Sequence, residues 1–187
     1  MINGIHSEPL LRVLHRDTIE ENGVNIIIDE EFYDENGKLK SDIIANLSID
    51  SYYNSLGLGT TPPSPDNLVV IKRGEKKYCI YIVELKNVTR TSTLKANNIK
   101  KKFDTAINDF MNERFSDVFN KSDTKITDIT LWLVCNRFDF IDSEISEEDY
   151  LKRIRGSVIE SLLLAKPWVF RNKIAKLDLM LSGKEII

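Results

Sequence analysis

Two apolar runs joined by a short polar turn constrain this chain most. Leu68-Val69-Val70-Ile71 and Tyr78-Cys79-Ile80-Tyr81-Ile82-Val83 are rich in β-branched and aromatic residues, and Arg73-Gly74-Glu75-Lys76-Lys77 separates them. Such side chains suit a pleated, half-buried surface, and a polar break containing glycine is a hairpin connection. The spacing predicts two antiparallel neighbours inside a sheet. With 187 residues, 42% of them hydrophobic, the chain can bury one sizeable core, and one domain over 1–187 is the expectation.

The open end of the hairpin carries ionisable groups. Asp66 stands before the first strand in Ser64-Pro65-Asp66, and Glu84-Leu85-Lys86 closes the second. A three-residue loop at Gly74, Glu75 and Lys76 sets Arg73 opposite Lys77, Leu68 opposite Ile82 and Asp66 opposite Glu84. Directly opposed residues lie roughly 5 Å apart at Cβ. Side chains alternate, so Lys86 emerges on the face of Glu84. A loop of another length moves Asp66 to a diagonal position or to the other face. Two carboxylates this close raise one pKa unless a cation compensates. Hard oxygen ligands of this kind suit magnesium, which polarises phosphate oxygens and acidifies a bound water. Lys86 is then placed to orient that water or to stabilise developing negative charge. Taken alone, the same spacing also describes an edge hairpin with a surface aspartate and an ordinary Glu–Lys pair.

The residues that follow are strongly basic. From Leu85 to Phe103 there is no acid, while Lys86, Arg90, Lys95, Lys100, Lys101 and Lys102 give +6 in a chain of net charge −3. Thr89, Thr91, Ser92 and Thr93 add hydroxyl donors. Cations and hydroxyls of this density suit contacts to a nucleic-acid backbone, which position without reading sequence. The pI near 5.5 makes any such contact local.

On Pro65-Asp66 and Glu84-Leu85-Lys86 the chain resembles the PD-(D/E)xK nuclease superfamily. The resemblance covers roughly residues 7–136. It implies an α/β, restriction-endonuclease-like core: a helix, a three-stranded meander, a second helix and a fourth strand (αβββαβ), with a central mixed sheet flanked by helices. It further implies that Asp66 and Glu84 hold Mg2+ or Mn2+ and that Lys86 is the catalytic lysine. Glu8 and His15, on a predicted first helix, are candidate auxiliary ligands. Arg90, Lys95, Lys100, Lys101, Lys102 and Arg137 are the candidate nucleic-acid contacts. The implied activity is endonucleolytic hydrolysis of phosphodiester bonds in DNA by a compact type II restriction-like subunit, with a homodimer as the candidate assembly. The alternatives are an RNA endonuclease of the viral cap-snatching type and a catalytically inactive nucleic-acid-binding module of the same fold.

Periodicity completes the expected elements. Ser7 caps a first helix through Leu10, Leu11 and Leu14, with Gly23 as its stop. Residues 24–28 read as a strand, 34–37 as a turn, and 38–54 as a helix with Leu39, Ile43 and Leu47 on one face. Residues 93–119 read as a long helix with Ile99, Phe103 and Phe110 inward and Lys95 and Lys102 off that stripe. The run 129–135 reads as a buried strand, parallel to a neighbour through the helical crossover. Ser146 opens a last helix with Tyr150, Ile154, Val158 and Leu162 as its stripe, and 177–181 alternates as a final strand. Cys79 and Cys135 lie in apolar runs and read as reduced core residues. Trp132 and Trp168 read as core, and packing accounts equally well for Tyr52 and Tyr53. No stretch approaches the roughly 20 apolar residues of a membrane span, and no signal-peptide pattern is visible, so the expectation is an intracellular, cytoplasmic protein without a membrane partner.

Overall fold

The computed structural model of the chain describes residues 1–88, 90–136 and 147–186. In chain order its helices are α1 (Ile2–Ser7), α2 (Pro9–Arg12), α3 (Ile49–Ser55), α4 (Ala96–Asp104), α5 (Ser116–Phe119), α6 (Glu147–Ile154) and α7 (Val158–Leu163), with a π-helical segment Thr105–Arg114 joining α4 to α5. The strands are β1 (Ile19–Glu21), β2 (Val24–Ile28), β3 (Ile44–Ser48), β4 (Asn67–Gly74), β5 (Lys77–Lys86), β6 (Lys125–Cys135), β7 (Trp168–Phe170), β8 (Lys173–Ala175), β9 (Leu177–Leu181) and β10 (Lys184–Ile186).

A five-stranded mixed sheet in the order β3-β4-β5-β6-β9 is the centre of an α/β architecture. β3, β4 and β5 run antiparallel to one another, and β6 and β9 are parallel to β5. Alternation along the strands divides the interior. Leu68, Val70, Ile80, Ile82, Leu131 and Leu133 pack with Ile99, Phe103 and Phe110 of the crossover. Val69, Ile71, Val83, Leu85, Trp132 and Val134 pack instead with Ile26 and Ile28 of a second sheet, β1-β2-β10. The helical crossover between parallel β5 and β6, and the strand at 177–181, both form where the sequence places them. Both cysteines are free and buried.

The β4–β5 turn differs from expectation in detail but not in consequence. The pairing runs Leu68↔Ile82 to Lys72↔Tyr78, then slips so that Gly74 faces Lys77. The tip is therefore the two residues Glu75 and Lys76, and Arg73 is absorbed as a bulge. Gly74 at φ 154° and Lys76 at φ 53° provide the reversal. Because the bulge takes up the extra residue, the register beyond it is the expected one.

Three stretches fold otherwise than the sequence suggests; one is the expected last helix, which Gly156 (φ 71°) and the Ser157 cap divide into α6 and α7. Residues 38–54 do not form one helix: Ile44–Ser48 is a strand, every residue of it buried, and only Ile49–Ser55 is helical. A strand buried on both faces loses its alternation, and the spacing of Leu39, Ile43 and Leu47 then imitates a helix. The polar side chain in this strand, Asn46, is satisfied through Nδ2 to the carbonyls of Arg16 and Thr18 and through Oδ1 from Asn67. Near the start, Ser7 ends α1, and Glu8 caps the next turn by accepting from the Leu10 amide. Gly23 does not stop a helix: Asn22 (φ 50°) and Gly23 (φ 79°) form the turn of the β1–β2 hairpin. Residues 24–28 are a strand of the second sheet, so the antiparallel meander is β3-β4-β5. No helix among the described residues is long and apolar enough to cross a membrane. Thr89, Arg137, Ser146 and the Tyr150 side chain lie outside the described residues.

Candidate functional site

The open end of the β4–β5 hairpin gathers Asp66, Glu84 and Lys86. The backbone of Asp66 is pinned by the Ile49 amide at 3.0 Å, where β3 passes into α3. One step beyond Asn67↔Val83, the register sets Asp66 opposite Glu84. Its Oδ2 accepts from the Leu85 amide at 2.6 Å, which fixes the carboxyl beside the second strand. Burial, then the neighbouring Glu84, push the Asp66 carboxyl up to about 7, against the opposing pull of the Leu85 amide, Lys102 and Lys86.

Glu84 follows Ile80 and Ile82 on the helix-facing side of β5 and is 0% exposed. A carboxylate there needs a counter-charge. Lys86, two residues on and on the same face, forms an ion pair with Glu84 Oε1 and donates to the Leu85 carbonyl at 3.1 Å. Lys102 reaches in from α4, its Nζ 2.7 Å from the same oxygen. Both ammonium groups lie at ion-pair distance from Oε1, and Glu84 Oε2 has no hydrogen-bond partner among the described residues. Burial alone would lower the Lys86 ammonium, but Glu84, Asp66 and Glu21 outweigh it and hold it above its ordinary value. Cys135 faces Lys86 across the β5–β6 pair, and burial pushes its thiol up to about 12, so it is no nucleophile.

Among the described residues no group of three or more His, Cys, Asp or Glu side chains is arranged around one point. The fit of a divalent cation therefore rests on two carboxylates and the oxygens beside them. Glu84 Oε2 is a buried acceptor without a donor among the described residues, Asp66 lines a cleft of about 240 Å³, and the Leu85 carbonyl accepts from Lys86 beside them in sequence. These are hard oxygens, the donor type magnesium and manganese take, with water and phosphate completing the shell.

The other candidate residues fall elsewhere. Glu8 caps α2 and has no contact with Asp66 or Glu84 among the described residues. His15 stacks on His6 at 4.4 Å and bridges to Leu47; burial, with His6 and Arg16 adding, lowers its pKa to about 4. Arg90 is exposed, Lys100 donates to Ser161 Oγ at 3.3 Å, and Lys95 and Lys101 line a groove between α4 and α7. Lys102 does not lie off the inward stripe of its helix: its side chain is 15% exposed and points at Glu84. It stands three residues after Ile99 and one before Phe103, which places it on the buried face. That spacing is the signal by which the sequence could have shown it. Glu20 and Glu21 on β1 and Asp50 at the start of α3, which line the cleft with Asp66 and Arg16, carry no comparable signal because neither β1 nor the β3–α3 junction is legible in the sequence. Trp132 and Trp168 are core residues; Tyr52 and Tyr53 pack against Phe110, with Tyr53 donating to Asp109.

Comparison of the chain with protein-family models, with curated proteins and with solved structures gives no match.

Proposed function

We propose that this protein is a divalent-metal-dependent nuclease that hydrolyses phosphodiester bonds, with a PD-(D/E)xK-type site on a restriction-endonuclease-like core. The observation that carries the reading is the convergence of Asp66, Glu84 and Lys86 on one face of one hairpin end, joined by the hydrogen bond from the Leu85 amide to the Asp66 carboxyl and by the Glu84–Lys86 ion pair. Asp66 and Glu84 would hold Mg2+ or Mn2+. The bound cation would supply Lewis-acid polarisation of a phosphate oxygen and a more acidic water. Lys86, held charged by the carboxylates around it, is suited to hydrogen-bond the attacking water or a phosphate oxygen as negative charge builds. Burial of Glu84 fixes these charges in a poorly solvated site, where their effect on a transition state is larger than in water.

DNA is the proposed substrate, on the resemblance to compact type II restriction subunits, and a homodimer is the proposed assembly, since a double-strand cut needs one site per strand. Supercoiled plasmid, duplex oligonucleotide and single-stranded RNA, each offered with Mg2+ and with Mn2+, test this. Discrete plasmid fragments support the reading, and preferential RNA breakdown moves it to the cap-snatching type. No cleavage of any substrate overturns it. One observation favours a second reading, a non-catalytic nucleic-acid-binding module: Glu84 already has two ammonium partners without a metal. Nucleic-acid binding without a metal response would select that module.

A further inference from the structure

Glu84 has more positive charge around it than one carboxylate needs. Lys86 and Lys102 both address Oε1, while Oε2 has no hydrogen-bond partner among the described residues. The two lysines are held differently. Lys86 sits on the same strand and has a second acceptor, the Leu85 carbonyl. Lys102 comes from a different element, α4; its ion pair is with Glu84, and its charge also acts on the Asp66 carboxyl. Its neighbour Lys101 already faces the open groove between α4 and α7. A lysine ammonium rides on a flexible four-carbon stem and can swing between two positions at little cost.

A buried ion pair recovers its desolvation cost only where its geometry is excellent and its remaining polar atoms are satisfied, and Glu84 Oε2 has no hydrogen-bond partner among the described residues. A doubly charged ion at Asp66 and Glu84 would compete with Lys102 for Oε1 and repel its ammonium, and the untethered lysine is the one that yields. We propose that Lys102 is a displaceable counter-ion. It occupies Oε1 of Glu84 while the site lacks a cation, leaves when a divalent cation binds, and then presents its ammonium to a phosphate oxygen of the nucleic acid. Lys102 is thus a positioning residue that couples cation binding to substrate binding. This rests on the nuclease reading above.

The test uses Mn2+ alone and the full chain. In the wild type, amine-acylating reagent with mass-spectrometric readout should label Lys102 slowly in EDTA and at least about fivefold faster with saturating Mn2+. Lys102→Met keeps the stem and removes the charge, and Lys86 remains as counter-ion to Glu84. Its Mn2+ dissociation constant, from calorimetric titration, should be about tenfold tighter than wild type, while Mn2+ should no longer enhance duplex-DNA affinity to the wild-type extent. If Lys102→Met does not fold, Lys102→Gln takes its place, and the wild-type labelling stands by itself. Lys102 labelling unchanged by Mn2+, or Mn2+ binding equal to or weaker than wild type in the variant, overturns this proposal and leaves the nuclease reading intact. Absence of Mn2+ binding by the wild type overturns both.

Discussion

Two hollows in the surface carry opposite charge. The cleft of about 240 Å³ at Asp66 is walled by Glu20, Glu21 and Asp50, with Arg16 the only cation lining it among the described residues. The groove of about 670 Å³ between α4 and α7 is lined by Lys95, Lys101, Asn97, Asn98, Ser157 and Ser161 among others, with no acid among the described residues. The first surface suits a cation and repels a polyanion, and the second does the reverse. On the proposed reading, charge would send the cation and the nucleic acid to different hollows. In a chain of net charge −3, the acid-free stretch from Leu85 to Phe103 is where a contact with nucleic acid would be local.

The largest effect should come from Asp66 and Lys86. Asp66→Ala should abolish metal-dependent cleavage and any Mn2+ response together. Lys86→Ala should cost cleavage about a hundred- to a thousandfold and leave Mn2+ binding in place, measured as single-turnover cleavage beside a thermal melt. Retained cutting in Lys86→Ala would remove that lysine from the mechanism.

Charge changes on the two walls should separate them more mildly. Lys95→Gln with Lys101→Gln should weaken duplex binding and flatten its log–log salt dependence by about two, roughly one for each phosphate that no longer meets an ammonium. Glu20→Gln with Glu21→Gln should not weaken duplex binding, and should weaken Mn2+ binding severalfold. A weaker duplex affinity in the Glu20/Glu21 variant, read by fluorescence anisotropy across salt, would place nucleic acid in the wrong groove.

The smallest effect is a pH dependence of stability in EDTA. Asp66 keeps its proton to about 7, so the folded state binds more protons than the unfolded one from about 4 upward, and stability falls as pH rises through that range. His15 is lowered to about 4, so between 4 and its ordinary value of 6.5 the folded state binds fewer protons and stability rises with pH. The two slopes oppose each other. Asp66→Asn should therefore gain stability from pH 4 to 6.5, and His15→Gln should lose it from pH 4 to 7, by urea denaturation. Equal slopes in the two variants would contradict the assignment.

The juxtaposition of Asp66 and Glu84 is more legible in the sequence than the fold around it. The Asp66–Glu84 register can be counted because one hairpin determines it, and the bulge at Arg73 preserves that count although the turn is one residue shorter than its composition suggests. β3 is hidden because burial on both faces erases its alternation, so it resembles a helix at Leu39, Ile43 and Leu47. β10 is three residues long and exists through pairing with the distant β2, an interaction that no local pattern encodes. Asn22-Gly23 is a readable hairpin signal, obscured by leucines at helical spacing before it. Lys102 is hard to single out because a lysine is ordinarily solvated, and only the buried Glu84 beneath α4 gives it a reason to turn inward.

Thermal melting with increasing Mn2+ tests the joint grip of Asp66 and Glu84 on one cation most directly. A ligand that binds only the folded state adds about 2.7 kcal/mol at a hundredfold excess over its dissociation constant. The wild type should melt progressively higher with Mn2+, and Asp66→Ala and Glu84→Gln should each melt at a constant temperature. A wild-type melting temperature indifferent to Mn2+, or an equal rise in all three proteins, would contradict the account.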